Sequence, residues 1–167
     1  MKSKMFLFFT IVLTSLSVFS QSNLVSASEF QKSVGKWKGT LIYLDYKTSK
    51  PYEMPADLEV IQSNELNQFK FNNFYPNETS ANSSHTIAIT DDGKKLNDEL
   101  VKSNKKLSDG SLEIITEILG KDGNDNASAL IRHTYLIGAK TFEIKKEVQF
   151  TGTKIWLLRH TYKYSKV

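Results

Sequence analysis

The sequence predicts an all-β fold, namely an antiparallel up-and-down meander barrel of 8–10 strands with a short N-terminal helix. Hydrophobic residues alternate with polar ones along most of the chain, and the joins between the alternating stretches are short and rich in Gly, Asp and Asn. Short joins make neighbouring strands antiparallel, because a parallel partner needs a long crossover. Closing so long a meander into a barrel removes its two unpaired edges.

The clearest strand covers residues 141–150. Phe142, Ile144, Val148 and Phe150 share one face there, and mainly charged residues share the other. Period-two alternation of this kind is typical of a half-buried strand. The same pattern predicts further strands at residues 37–46, 56–62, 68–75, 85–90, 96–103, 111–119, 128–137 and 155–164.

Two segments have sequence patterns that are compatible with a short helix. Ser28 and Gln31 match a capping box before the first strand, and Phe30 lies four residues before Val34. A short helix at this point is expected to close one end of the barrel with Phe30. Residues 94–107 carry leucines that also fit a short amphipathic helix, so both strand and helix stay open for that segment.

The N-terminus has the features of a secretory signal peptide. Lys2 and Lys4 precede an apolar run, and small residues follow it. The run is too short to span a membrane, which takes about 20 apolar residues. Cleavage is predicted after Ser20 or, alternatively, after Ala27. The prediction is thus a signal peptide at 1–20 (alternative end at 27) and a single barrel domain at 28–167, secreted or periplasmic.

Composition excludes several classes of protein. The chain has no cysteine, which excludes disulfides, thiolate metal sites and a lipid anchor on an N-terminal cysteine. Its net charge of +4 includes both lysines of the predicted leader, so the remaining chain carries +2. Nucleic-acid binding needs a stronger basic surface than this. No other stretch is apolar enough to predict a stable membrane span.

A Gly-x-Trp motif opens the first predicted strand, where Gly35 permits a sharp turn and Trp37 supplies a large apolar side chain. Together with the preceding short helix, the meander and Arg159 on the last strand, this motif resembles the calycin superfamily and its lipocalin-like barrels. The resemblance implies that Trp37 lies at the closed end of the barrel. It also implies that Arg159 packs across Trp37.

The tetrapeptide Arg-His-Thr-Tyr occurs twice, at residues 132–135 and 159–162. One strand separates the copies, so in a meander they run parallel and two strands apart. Alternation places His133 and Tyr135, and likewise His160 and Tyr162, on the inward face. Two strand spacings separate the histidines by roughly 9–10 Å, which is too far for both to bind one metal ion. No metal site is therefore predicted, unless His85 converges with them.

These inward side chains predict a lumen that is either filled or able to hold one small ligand. The favoured function is non-catalytic binding of a small apolar or amphipathic molecule. The residues expected to bind it are Phe71, His133, Tyr135, Phe142, Trp156, His160 and Tyr162.

Two alternatives stay open. A nitrobindin-like barrel, which the segment around Gly35, Trp37 and Gly39 also resembles, implies haem as a cofactor with His160 as its ligand. A filled barrel would instead act as a protein-interaction module through its loops. No enzyme activity is predicted, apart from haem chemistry at His160 under the first alternative.

Overall fold

The computed structural model of the chain describes residues 23–45 and 50–167. The predicted leader, residues 1–20, lies outside them. None of the described helices is long and apolar enough to cross a membrane. The described chain contains a short α-helix, α1 (Ala27–Phe30), two 3₁₀ helices (Gln31–Ser33 and Thr79–Ala81) and the strands β1 (Gly35–Asp45), β2 (Lys50–Pro55), β3 (Asp57–Gln62), β4 (Gln68–Phe74), β5 (Ser83–Ala88), β6 (Lys95–Leu96), β7 (Glu99–Lys106), β8 (Leu112–Asp122), β9 (Ala127–Ile137), β10 (Thr141–Phe150) and β11 (Leu157–Lys166).

The strands form a nearly closed antiparallel barrel, which confirms the predicted fold class. Their order around the sheet is β5-β4-β3-β1-β11-β10-β9-β8-β7-β6, so neighbours in sequence are also neighbours in space and the first strand pairs with the last. At the remaining seam, Ile89 forms a bridge with Leu96. The backbone N–H of Asn97 also donates to the carbonyl of Ala88 across this seam, at 2.6 Å.

Strands β2 and β3 behave as one strand along β1, because both keep the same register against it. Ala56 separates them, and its N–H donates to the carbonyl of Gly39 at 2.9 Å. The sequence pattern predicts only the second half of this strand. The first half is mostly exposed and contains Pro51 and Pro55, so it shows no hydrophobic alternation, and its prolines suit an edge rather than a central strand.

The helix closes one end of the barrel, as expected, but its capping box differs from the predicted one. The Ser26 side chain accepts the backbone N–H of Glu29, and the Glu29 carboxylate accepts the N–H of Ser26. The predicted pair of Ser28 and Gln31 is wrong because the extended residue before the helix is Ser26. Phe30 is fully buried, with its ring 5.1 Å from that of Phe69.

Segment 94–107 is extended, not helical. Its two strands, β6 and β7, pair with each other, and β7 also pairs along most of β8. The helical alternative is therefore wrong. Sheet pairing on both sides satisfies backbone groups that a short isolated helix would leave partly exposed.

Trp37 lies at the closed end, as the calycin resemblance implies. It is 1% exposed, its Nε1–H donates to the carbonyl of Ser33 at 2.7 Å, and its ring centroid lies 5.6 Å from that of Phe142. Gly35, which precedes it, has a φ of +135°, a conformation that favours glycine.

Arg159 does not pack across Trp37, so this part of the resemblance is wrong. The antiparallel register of β1 and β11 places Lys166 opposite Trp37, and the Lys166 ammonium lies 5.0 Å from the centre of the indole ring. Arg159 lies at the other end of β11, where it donates to the carboxylate of Asp122.

The buried position of Val25 makes the two predicted cleavage points distinguishable. Val25 is 3% exposed and its N–H donates to the carbonyl of Gly93 at 2.8 Å, while Ser26 caps the helix. A chain that starts at residue 28 lacks both contacts, whereas a chain that starts at residue 21 keeps them. We expect the shorter chain to be less stable by about 2 kcal/mol or more.

Urea denaturation of the two truncated chains measures this difference. The slope of each transition serves as the control, since equal slopes indicate that both chains bury similar surface. Equal midpoints would show that residues 21–27 contribute nothing to the barrel.

Candidate functional site

The inward side chains of β8 to β11 form rows across the barrel wall, because the four strands pair in step over this region. The rows become more polar with distance from the closed end. From that end upward they are Leu112, Ile137, Phe142 and Tyr164, then Ile114, Tyr135, Ile144 and Tyr162, then Thr116, His133, Lys146 and His160.

A cavity of about 300 Å³ lies inside the barrel against the upper rows. All three histidines of the chain line it, together with tyrosine hydroxyls and a few apolar side chains. Its walls are therefore aromatic with polar tips. The lining residues are Phe71, Asn73, Tyr75, Ser83, His85, Ile87, His133, Tyr135, Ile144, His160, Tyr162 and Tyr164.

Both copies of the Arg-His-Thr-Tyr repeat contribute to this cavity. His133 and His160 lie two strands apart on β9 and β11, as predicted, and each is paired in register with Lys146 on the strand between them. Five of the seven residues expected to bind a ligand line the cavity: Phe71, His133, Tyr135, His160 and Tyr162.

Phe142 lies below the cavity and does not line it. Its ring is 1% exposed and packs between Trp37 and Phe71, with centroids 5.6 and 6.3 Å away. It forms the floor beneath the lumen, so the prediction of direct ligand contact is wrong for this residue.

Trp156 stands on the outer surface, so its predicted place in the lumen is also wrong. The Arg132 guanidinium lies 3.8 Å from the centre of its ring, and Arg132 is on the outward face of β9 with Glu117 as its ion-pair partner. The cause is a β-bulge, since Lys146 pairs with His160 and Glu147 pairs with Leu158. Arg159 is the extra residue in this bulge. The side chains that precede it, including Trp156 just before the start of β11, therefore point to the face opposite to the one that simple alternation predicts.

Other cavity residues were not identified by the sequence pattern. Tyr75 and Tyr162 bring their hydroxyl oxygens within 2.8 Å of each other across the lumen. Strand alternation places Tyr75 on the face of Phe71, and His85 on the face of Ile87, so this signal was available. Lys146 does not line the cavity, but it follows the same rule on β10 and lies in register between His133 and His160, although a charged residue is usually expected to face solvent.

His133 is held by a carboxylate within the barrel. Its Nδ1 lies 2.9 Å from the carboxylate of Glu99, which also accepts the hydroxyl of the fully buried Thr116. Burial opposes the ionisation of Glu99, but the hydrogen bonds from His133 and Thr116 outweigh it and lower the pKa of Glu99. Glu99 is therefore a carboxylate at neutral pH and fixes the orientation of the imidazole.

His160 and His85 are uncharged at neutral pH. Burial lowers the pKa of His160 to about 4, and the positive charge of the nearby Lys146 contributes in the same direction. Burial also lowers the pKa of His85. Within the described part of the chain, His160 makes no hydrogen bond, and its ring packs edge-on against Tyr162 at 5.3 Å.

Asp122 neutralises the positive charges near the histidines. It accepts a hydrogen bond from the Lys146 ammonium at 3.0 Å and another from the Arg159 guanidinium. Burial opposes its ionisation, yet these two partners lower the pKa of Asp122. The end of β8 is thereby joined to β10 and β11 by paired charges.

The tyrosine hydroxyls around the cavity stay protonated. Burial raises the pKa of Tyr135, Tyr162 and Tyr164 well above the ordinary tyrosine value. At pH 7 the lumen therefore offers neutral tyrosine hydroxyls and the neutral imidazoles of His85 and His160, and the charged Asp122, Lys146 and Arg159 beside it are bonded to one another.

The described residues contain no group of three or more His, Asp or Glu side chains that could hold a metal ion. The chemistry of His160 suits a haem ligand, because its imidazole is neutral and makes no hydrogen bond within the described residues. The space is limited, because the volume of about 300 Å³ is at the lower limit for drug-sized ligands, so a haem would have to extend beyond this cavity.

Comparison with solved structures supports the fold alone. The chain is similar to the crystal structure of Rv2717c from M. tuberculosis, with a TM-score of 0.50 and 11% sequence identity over 86% of this chain and 99% of that one. A DUF3598-family protein of unknown function from Nostoc punctiforme gives a TM-score of 0.37 and 8% identity, over 88% of this chain and 51% of that one. No family model and no curated protein matches the chain.

The buried, neutral His160 predicts a loss of stability in mild acid. The folded protein protonates His160 only near pH 4, whereas the unfolded chain does so near 6.5. Between these values the unfolded chain binds more protons, so the free energy of unfolding falls as the pH drops from about 6.5 towards 4. We expect His160→Gln to remove up to about 3 kcal/mol of that fall.

Urea denaturation at pH 7 and pH 4.5 tests this expectation. Tyr162→Phe is the matched control, because it alters the neighbouring side chain without changing a group that titrates in this range. The same acid-induced loss in His160→Gln as in the unaltered protein would contradict the prediction.

Proposed function

We propose that this protein is an exported, lipocalin-like barrel that binds an uncharged, partly apolar small molecule in its lumen without catalysis. The observation that carries the proposal is the cavity of about 300 Å³ with aromatic walls and neutral polar tips. Small-molecule sites combine aromatic or apolar walls with polar groups that fix the orientation of the ligand, and in this cavity the polar groups make up the larger part of the lining.

Size supports a small ligand. Pockets for drug-sized molecules run from about 300 to 1,000 Å³, so the cavity matches the lower limit of that range. Burial of apolar ligand surface contributes about 25 cal/mol per Å². A cavity of this volume also argues against the alternative of a filled barrel acting only through its loops.

Charge pairing supports an uncharged ligand. Asp122 is bonded to Lys146 and Arg159, and the Glu99 carboxylate accepts hydrogen bonds from His133 and Thr116. A charged ligand would have to break one of these pairs or enter without a partner, and burying an unpaired charge is strongly unfavourable.

Export and membership of the calycin group belong to the same proposal. The N-terminal pattern of lysines, apolar run and small residues supports secretion. The short helix, the Gly-x-Trp motif and the closed meander support a lipocalin-like barrel.

A test uses p-cresol as a small, neutral, amphipathic probe and isothermal titration calorimetry as the readout. Ile144 lies on the cavity wall, so Ile144→Trp fills the lumen, and we expect it to abolish binding of p-cresol. Trp156→Ala is the control, because Trp156 lies on the outer surface against Arg132. This control should bind as the unaltered protein does.

Native mass spectrometry of protein purified from its source gives a complementary test. A retained small molecule that is absent from the Ile144→Trp variant would support the proposal. If p-cresol fails to bind, or binds equally to Ile144→Trp, the lumen is not the binding site that we propose.

A further inference from the structure

The cavity contains one hydrogen-bonding group whose polarity is fixed by a second residue. The Nδ1 atom of His133 lies 2.9 Å from the Glu99 carboxylate. A carboxylate only accepts hydrogen bonds, so Nδ1 must carry the proton in this contact. In the neutral imidazole, which is the form on which this inference rests, the other ring nitrogen, Nε2, is then an acceptor.

This acceptor has no partner among the described residues of the protein. The hydrogen bonds of His133 involve Nδ1 and Glu99, and its ring lines the cavity about 6.4 Å from the ring of Tyr135. The carboxylate itself is held by the buried Thr116 hydroxyl. The site is thus built so that the imidazole cannot turn freely to reverse its polarity.

We infer that the ligand is a hydroxylated aromatic molecule, whose O–H donates to Nε2 of His133 while its ring packs against Tyr135 and Phe71. This inference rests on the proposed function, since it names the chemical class that the same cavity takes. Phenols are the simplest members of the class.

The other polar groups of the cavity do not impose this requirement. The hydroxyls of Tyr75 and Tyr162 lie within hydrogen-bond distance of each other, and the Asn73 amide nitrogen lies 3.5 Å from Nδ1 of His85. Tyrosine hydroxyls both donate and accept, so they take ligands of either polarity. His160 has no carboxylate to fix its tautomer within the described residues.

The relative affinities of the cavity for toluene and p-cresol distinguish this hydrogen bond from burial alone. A purely apolar cavity favours toluene over p-cresol, because the phenol must give up its hydrogen bonds to water. A cavity with a buried acceptor in place reverses that order, since toluene leaves the acceptor unpaired. Preference for the phenol therefore reports the hydrogen bond and not burial alone.

Calorimetric titration of the full chain with p-cresol, 4-methylanisole and toluene tests the inference. We expect p-cresol to bind at least about tenfold more tightly than either of the others. The methyl ether keeps the oxygen but lacks the donor, so it separates donation to His133 from acceptance of a tyrosine hydroxyl.

His133→Phe should abolish the preference for p-cresol while toluene still binds. His85→Phe removes another histidine from the cavity, and the preference should persist there even if all affinities change. Glu99→Gln tests the positioning role of Glu99 and gives a second readout if His133→Phe fails to fold. The Gln amide can donate to Nδ1, which leaves the ring proton on Nε2 and makes Nε2 a donor. We therefore expect the affinity for p-cresol to fall towards the affinity for 4-methylanisole.

The outcomes separate this inference from the proposed function. The hydroxyl inference is overturned if toluene binds as tightly as p-cresol. It is also overturned if a folded His133→Phe or Glu99→Gln variant keeps the full preference for p-cresol. Either result leaves the proposed binding of small molecules intact. Failure of all three probes to bind the unaltered protein overturns both.

Discussion

The common register of β8, β9, β10 and β11 is the constraint on which the site depends. Because these strands pair in step, each inward side chain meets partners of similar depth on its neighbours. Apolar rows collect near Phe142 and Trp37, and the polar row with His133 and His160 lies above them. A shift of one residue in any of these pairings would turn that strand's lumen residues outward. The cavity forms because this common register continues from the closed end of the barrel up to the polar row.

The β-bulge at Arg159 interrupts the common register of β10 and β11 just beyond the polar row. It comes directly after His160, reading towards the N-terminus of β11, so the histidine keeps its inward position. Beyond the bulge, Trp156 moves to the outer surface and stacks on Arg132. Arg159 gains the Asp122 carboxylate as a partner, and a positive charge is thereby neutralised beside the lumen. One extra residue thus separates a cavity side chain from a surface side chain only four positions away.

The lumen combines neutral groups for recognition with charges that are already paired. Glu99 orients His133, and Asp122 holds Lys146 and Arg159, while burial keeps His160 and the tyrosines uncharged. This arrangement is the basis of the proposal that the ligand is uncharged, since none of these ion pairs has to be broken when such a ligand enters. The fold shared with Rv2717c is consistent with this arrangement but does not specify it, because fold alone does not determine function.

The sequence by itself determined the strand faces and the closed end. Period-two alternation is a local property, so Tyr135, His133, Tyr162 and His160 were placed inward before any strand pairing was known. Phe30 is placed at the closed end by the short helix predicted before the first strand, whereas the place of Trp37 follows from the calycin resemblance. Alternation carries no information about where it is interrupted, which is why Trp156 is misplaced by a bulge. For Arg159 the resemblance is wrong, because the register of β1 and β11 puts Lys166 opposite Trp37.

Only the tertiary structure decided which inward residues meet. Glu99 and Lys146 are charged, and charged residues normally face solvent; they face inward because β8 supplies Thr116 as a partner for Glu99 and Asp122 as a partner for Lys146. His85 and Tyr75 join the cavity because β4 and β5 close the barrel opposite β9 and β11. Such contacts between residues far apart in sequence depend on the register and closure of the whole sheet, and a local pattern cannot specify them.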